Sequence, residues 1–88
     1  MEITFKLFAT LGDYLPHDLN GRARVHNQLP IEVPEATTVQ AVIDQFHLPP
    51  AMAHLVLVNG IFVPRGARAT HLLHVGDELA VWPPIAGG

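Results

Sequence analysis

The sequence predicts an α+β fold, in which a mixed sheet of four to five strands is covered on one face by one main helix. In the first apolar run, Ile3 to Leu7, apolar and polar residues alternate, which is the period of a half-buried strand. Helical spacing of apolar residues is clearest between Val39 and Phe46. The elements follow in the order β-β-α-β-β-β, so one helix is available to cover one face of the sheet.

A long connection and an edge strand are expected after the first strand. Residues 9–28 are rich in turn-forming residues and are predicted to be irregular, with one helical turn near 11–15. The second strand is expected over Leu29–Val33, where Pro30 and Pro34 alternate with apolar residues. Because proline cannot donate to a β-ladder, we expect this strand at an edge of the sheet.

The main helix is predicted from a capping box and an apolar stripe. Thr37 is expected to be the N-cap and Gln40 the N3 residue, a spacing at which each side chain can satisfy a free backbone N–H. Pro49-Pro50 is expected to end the helix at about His47. The stripe has the i, i+3, i+4, i+7 spacing of one helix face and consists of Val39, Val42, Ile43 and Phe46.

The remaining strands follow the helix. An apolar strand over 55–58 is joined to Ile61–Val63 by Asn59-Gly60, the dipeptide most typical of a type I′ hairpin. A turn at Asp77 precedes the last strand, Glu78–Trp82. By analogy, a two-layer roll with this order of elements is a ubiquitin-like β-grasp.

Length and composition limit the chain to one small domain. Its 88 residues are 49% hydrophobic and 15% charged, so disorder of the whole chain is not expected. The formal net charge of −3 disfavours binding to a nucleic-acid backbone. No run of about 18 apolar residues predicts a membrane span, and the start of the chain lacks the features of a Sec-type signal. We therefore expect a cytoplasmic protein without nucleic-acid or membrane partners.

Cysteine is absent from the sequence. This absence excludes disulfides, thiolate zinc sites, iron–sulfur ligation and a cysteine nucleophile. If the protein takes part in sulfur chemistry, its sulfur is therefore not carried on a side-chain thiol.

A flexible C-terminal tail, residues 83–88, is predicted to follow a folded body of residues 1–82. The tail consists of Pro83, Pro84, Ile85, Ala86, Gly87 and Gly88. The prolines favour extended backbone and cannot join a ladder. The bare backbone of the last two residues, with its terminal carboxylate, can thread a narrow channel in another protein where a Cβ would clash. A frayed end with glycines by chance is the alternative.

The end of the sequence, Leu73 to Gly88, resembles the closing segment of MoaD/ThiS-type sulfur carriers: a Gly-Asp turn, an apolar strand, Pro-Pro and Gly-Gly. Val58-Asn59-Gly60 and Leu7-Phe8-Ala9 are similar to the hairpin and the first strand of that family. The Pro-Pro-x-x-Gly-Gly ending is closer to the molybdopterin synthase small subunit than to the thiamine carriers. Residues 11–28 differ from the best-known small subunits and resemble a broader set of MoaD/ThiS-like proteins.

The resemblance implies a ubiquitin-like β-grasp carrier rather than an enzyme, with no cofactor bound by the chain itself. A partner adenylyltransferase of the ubiquitin-activating type, using ATP and magnesium, would adenylate the Gly88 carboxylate. A persulfide on a sulfur donor protein would then convert it into a thiocarboxylate. A large synthase subunit, or another acceptor enzyme, would receive the sulfur. Molybdopterin biosynthesis is the favoured pathway, and thiamine, cysteine and siderophore pathways stay open.

Phe8, Phe62 and Trp82 are the candidate partner-binding residues. Large apolar residues on strands mostly belong to a core, but Trp82 directly precedes the tail. Phe8 is expected to point away from the apolar face of the first strand. If exposed, the three would form a docking surface for the activating enzyme and the acceptor subunit. Arg65 and Arg68 are expected to be solvated loop residues, with contacts at the rim of that surface as the alternative.

Metal binding, autonomous catalysis and protein modification are the rival functions. His71 and His74 have i, i+3 spacing, but a zinc site needs three or four ligands in fixed geometry, so we expect ordinary solvent-facing histidines. No Ser-His-Asp arrangement has local support, and Asp77 is expected to serve a turn. A ubiquitin-like modifier, conjugated to lysines through Gly88, has the same fold and tail. A plain interaction domain would not need the last two glycines.

Overall fold

A computed structural model describes residues 1–84 of the chain. The strands are β1 (Glu2–Leu7), β2 (Asp18–Leu19), β3 (Arg22–Ala23), β4 (Gln28–Glu32), β5 (Leu55–Val58), β6 (Ile61–Phe62) and β7 (Glu78–Trp82), and the α-helix, α1, spans Val39–Gln45. Two 3₁₀ helices cover Ala9–Tyr14 and Arg65–Ala67. The predicted α+β architecture with one main helix is confirmed.

The main sheet is mixed and has five strands in the order β4-β1-β7-β5-β6. β7 lies at its centre, parallel to β1 on one side and antiparallel to β5 on the other. β4, which contains Pro30, is an edge strand, as predicted. The first and last strands of the body are therefore hydrogen-bonded neighbours, and the tail starts from the end of the central strand.

One face of the sheet is buried. Ile3, Phe5 and Leu7 of β1 are at most 1% exposed, so the alternation in the sequence corresponds to burial. The helix places Val42 and Ile43 in the same core cluster. The ring of Phe46, at the C-cap of α1, lies 4.9 Å from the ring of Phe5. Burial of this helix face stabilises α1, which at seven residues is too short to be stable alone.

The start of α1 differs by one residue from the prediction. The N-cap is Thr38, whose hydroxyl accepts a hydrogen bond from the backbone N–H of Ala41 at 3.1 Å. The hydroxyl of Thr37 instead donates to the carbonyl of Pro34 at 2.6 Å. The predicted capping box is therefore wrong, because the preceding turn uses the first threonine and leaves the second for the helix.

The connection between β1 and β4 is more regular than predicted. It contains the hairpin β2–β3, which turns at Asn20 and Gly21 with φ of 52° and 78°. Arg24 fixes this connection, since its Nη1 donates to the carbonyls of Gly12 and Leu15, both at 2.9 Å. The irregular connection expected from the sequence is thus a small folded unit held by one guanidinium group.

The predicted hairpin at Asn59-Gly60 and the predicted turn at Asp77 are both confirmed. Asn59 and Gly60 have φ of 52° and 81°, as a type I′ hairpin requires. Asp77 accepts from the backbone N–H of His74 at 2.8 Å and from the Asn59 side chain at 2.9 Å. Asp77 therefore serves a turn, as expected, and also ties the β5–β6 hairpin to the start of β7. Within residues 1–84, none of the helices is long and apolar enough to cross a membrane.

Candidate functional site

The outer face of the sheet carries a patch of apolar side chains near the end of β7. Strand register places these residues side by side: Leu55 is opposite Trp82, and Leu57 lies between Ala80 and Phe62. The neighbours of these residues on β5 and β7 are buried core residues, as are Leu7 beside Phe8 and Val63 beside Phe62, so the patch belongs to the opposite face. We call this set the outer patch; it consists of Phe8, Leu55, Leu57, Phe62, Ala80 and Trp82.

An aromatic stack lies at the end of the outer patch that is nearest to the tail. The rings of Phe8 and Trp82 are 3.6 Å apart between centroids and within 6° of parallel. The parallel pairing of β1 with β7 brings them together, because Leu7 is aligned with Val81 and the backbone N–H of Phe8 donates to the carbonyl of Val81 at 3.1 Å. The stack fixes the orientation of the last side chain before the tail.

All three partner-binding candidates predicted from the sequence lie in the outer patch. Phe62 is 56% exposed and Trp82 39% exposed, whereas Phe8 is half-buried beneath the indole. The sequence analysis missed Leu55 and Leu57. Their signal is the all-apolar strand Leu55–Val58, because a strand with apolar residues at every position presents apolar side chains on both faces.

The end of β7, from which the tail extends, is held beside the start of β5. Leu55 is already paired with Trp82, and the backbone N–H of His54, the residue before β5, donates to the carbonyl of Trp82 at 3.1 Å. Pro83 is half-buried and Pro84 is exposed. The predicted sulfur-carrying residue Gly88 and the tail residues Gly87, Ala86 and Ile85 lie outside the described residues.

Arg68 corrects one expectation from the sequence. It is 3% exposed and not a solvated loop residue, because its guanidinium group donates to the carbonyls of Ala53 at 2.7 Å and His54 at 3.1 Å. Burial, and next the charge of Arg65, lowers the pKa of Arg68 from its ordinary value. Arg65 stays exposed, with longer bonds of 3.3 and 3.4 Å to Pro50 and Ala53. Arg68 thus anchors the segment that receives Trp82.

Replacing Arg68 is expected to destabilise the fold far more than replacing Arg65. Arg68→Ala leaves the His54 carbonyl without its charged donor and leaves the Ala53 carbonyl with only the long bond from Arg65. It also removes a buried side chain, and together these losses cost about 2–4 kcal/mol of unfolding free energy. Arg65→Ala removes only weak exposed contacts and should cost about 0.5 kcal/mol or less. Urea unfolding of both variants measures the difference, and equal stabilities would show that Arg68 does not anchor this segment.

The histidines do not form a metal-binding cluster in the part of the chain that the structure describes. No group of three or more His, Cys, Asp or Glu side chains is placed to hold a metal ion among residues 1–84. His74 lies 3.9 Å from Asp77, and that carboxylate already accepts from the backbone of the turn. This arrangement is that of a surface turn.

Comparisons with known proteins identify the family. The family model of the ThiS family matches residues 18–88, which includes the outer-patch strands β5 to β7 and the whole tail. No curated protein matches the sequence.

Solved structures confirm the fold. SAMP1 from Haloferax volcanii is 22% identical, with full coverage of both chains and a TM-score of 0.65. A putative molybdopterin converting factor, subunit 1, from Pyrococcus furiosus is 20% identical over 97% of this chain and 99% of its own, with a TM-score of 0.62.

A complex of subunits 1 and 2 of molybdopterin-converting factor from Helicobacter pylori 26695 contains a chain that is 14% identical, with full coverage of both chains and a TM-score of 0.58. At these identities the likeness shows the fold alone, and it confirms the ubiquitin-like β-grasp with a mixed five-stranded sheet. The family match covers most of the chain and includes the tail, so the chain belongs to the ThiS family of MoaD/ThiS-type ubiquitin-like proteins.

Proposed function

We propose that this protein is a sulfur carrier whose C-terminal Gly88 is adenylated and converted into a thiocarboxylate, and that the sulfur is used in molybdopterin biosynthesis. The match to the ThiS family, which extends through the Gly-Gly end of the chain, carries this proposal. The protein acts as a carrier or as the non-catalytic small subunit of a synthase, and its partners supply the catalytic groups.

The chemistry explains why the chain end, rather than a side chain, carries the sulfur. A carboxylate reacts poorly with nucleophiles, because the oxygen that must leave is a poor leaving group. Transfer of AMP from ATP to the Gly88 carboxylate gives an acyl-phosphate anhydride and releases pyrophosphate. A persulfide sulfur then attacks the carbonyl carbon, AMP leaves, and reductive cleavage of the S–S bond by a second thiol leaves the thiocarboxylate on Gly88. A chain without cysteine has no side-chain thiol that could carry the sulfur instead.

The outer patch supports docking to the enzymes that act on the tail. It is apolar, partly exposed and directly joined to the tail through Trp82, and exposed apolar patches of this kind mark interaction sites on soluble proteins. An adenylyltransferase of the ubiquitin-activating type, bringing ATP and magnesium, is the proposed first partner. A large synthase subunit is the proposed acceptor, since a chain of similar fold belongs to a complex of subunits 1 and 2 of molybdopterin-converting factor from Helicobacter pylori.

A second candidate function is covalent protein modification through Gly88. The similar fold of a small archaeal modifier protein, SAMP1, favours this alternative. Both functions share adenylation of the tail, and they differ in the nucleophile that follows: sulfur for the carrier, a lysine amine for the modifier. Transfer of sulfur to a thiamine, cysteine or siderophore pathway is the alternative within the carrier function.

Intact-mass measurement separates the two functions. After incubation with ATP, magnesium, its adenylyltransferase and a persulfide donor, a carrier becomes about 16 Da heavier because one oxygen is replaced by sulfur. A modifier gives a ladder of larger conjugates with other proteins instead. We expect the mass shift. A chain of unchanged mass that also fails to promote ATP–pyrophosphate exchange would contradict both functions.

A further inference from the structure

We propose that Lys6 is an acylation site, whose amine accepts the activated carboxyl end of a second copy of this chain, and that this attachment covers the outer patch. The proposal rests on the proposed function, which supplies the activated carboxyl group. The same protein then has an acyl donor, the activated carboxyl group of Gly88, and an acyl acceptor, the amine of Lys6.

Lys6 is the single lysine among the 88 residues. The other basic residues are arginines, whose guanidinium groups stay protonated and are not acylated at neutral pH. The Met1 amine donates to the Val33 carbonyl at 2.8 Å and lies 3.4 Å from the Glu32 carboxylate, and the Met1 side chain is 3% exposed. The Lys6 side chain is 27% exposed, so it carries the more accessible amine.

The position of Lys6 links acylation to docking. Lys6 lies on the outer face of β1, and strand register aligns it with Ala80 of the outer patch. Phe8 directly follows β1 and keeps extended backbone, with φ of −100° and ψ of 155°, so it lies on the same face as Lys6, two residues earlier. Any group attached to the Lys6 amine must accordingly occupy space next to the outer patch, where the partners of the tail are proposed to bind.

Glu78 holds the Lys6 amine before the reaction. The Lys6 Nζ lies 2.6 Å from the Glu78 Oε1, and the Glu78 side chain is 51% exposed. The Lys6 nitrogen must leave this ion pair before it can approach a carbonyl carbon, so the pairing competes with the reaction. Exposed ion pairs are weak, so this pairing slows acylation without preventing it.

The acylation of Lys6 consumes the adenylated chain end and releases AMP. The Lys6 Nζ attacks the carbonyl carbon of the adenylated Gly88 of the second copy and forms an amide bond. The bond from that carbon to the AMP oxygen breaks, AMP leaves with the electron pair, and the amine proton passes to water. Acylation removes the positive charge of Lys6, releases Glu78 from its ion pair and tethers a whole second body beside the outer patch.

A thioester of the full chain tests the acceptor without an activating enzyme. The donor is the Lys6→Arg chain with its end converted to a mercaptoethanesulfonate thioester, so that the donor cannot accept an acyl group itself. The acceptors are the wild type, Lys6→Arg, Glu78→Gln and, as a matched control, Glu35→Gln. We expect a two-chain product joined from Gly88 to Lys6 in the wild type and none with Lys6→Arg. Glu78→Gln should react about two- to five-fold faster, and Glu35→Gln should react like the wild type. Equal yields from the wild type and Lys6→Arg, or joining at the Met1 amine, would overturn the proposal.

Tryptophan quenching tests whether the attachment covers the outer patch. Trp82 is the single tryptophan, so a donor that carries both Lys6→Arg and Trp82→Phe leaves only the acceptor's indole visible. In the Lys6-linked product that indole is expected to be quenched less by acrylamide than in the unlinked chain; unchanged quenching would disprove coverage of the patch. Because the thioester replaces enzymatic activation, both outcomes are independent of whether the adenylation proposed above occurs.

Discussion

Adding one residue after Gly88 is expected to abolish thiocarboxylate formation while leaving the fold unchanged. The extra residue moves the terminal carboxylate about 3.5 Å beyond the position where it would meet the α-phosphate of ATP. Misplacement of a reacting group by even 1 Å can reduce a rate about 100-fold. Deletion of Gly87 and Gly88 shortens the tail and should have an equally large effect. Intact mass and ATP–pyrophosphate exchange, measured with the adenylyltransferase, report the loss.

The control for these variants keeps the length of the tail. Ala86→Gly adds no atoms and leaves the carboxylate in register, so we expect sulfur loading close to that of the wild type. Gly88→Ala places a Cβ beside the reacting carboxylate and is expected to fail as well. Circular dichroism should show the same folded body in all of them. Normal sulfur loading of the extended chain would disprove the role of Gly88.

Replacing Trp82 by alanine is expected to weaken binding of the adenylyltransferase about 30-fold or more. Trp82 presents a large, partly exposed aromatic surface directly before the tail and is oriented by its stack on Phe8. Aromatic residues at the centre of an interface often contribute 2 kcal/mol or more to binding, which corresponds to roughly 30-fold in affinity. The KM for this protein in ATP–pyrophosphate exchange should rise by the same factor.

Two further variants distinguish docking from stability. Phe62→Ala removes an exposed side chain from the outer patch on the short strand β6, leaves the aromatic stack intact, and should also raise the KM. Val75→Ala removes an apolar side chain that is 73% exposed in the turn before β7, at the opposite end of that strand from Trp82. We expect no effect of Val75→Ala on binding. Equal effects of Val75→Ala and Trp82→Ala would exclude the outer patch as the docking surface.

The sequence predicts those elements for which a short residue pattern is compatible with only one local structure. The alternation from Ile3 to Leu7 permits only one buried face, and Asn59-Gly60 with apolar residues on both sides permits a tight hairpin. Both are found as predicted. The hairpin at Asn20-Gly21 carries the same dipeptide, yet its two-residue strands are too short to show a period. Its flanks are stabilised by Arg24, a contact that sequence spacing does not reveal.

The candidate site depends on contacts between segments that are distant in the sequence. The stack of Phe8 on Trp82 exists because β1 and β7 pair in parallel. The periodicity of a strand shows which of its faces is buried but does not show which strand it pairs with. The burial of Arg68 likewise depends on the carbonyls of Ala53 and His54, which converge on it only in the folded chain. Residue types predicted the aromatic candidates, whereas the fold determines that they form one surface.

The central position of β7 has a consequence for how the protein is made. Without β7, β1 and β5 have no shared neighbour, so the main sheet would be divided into two separate pairs of strands. The main sheet therefore cannot close during translation until β7 has left the ribosome, and such non-local pairing is slow. A nascent chain that stops before Trp82 would remain unfolded and open to proteolysis. The protein can consequently fold correctly only after its synthesis has reached Trp82, the residue from which the tail extends.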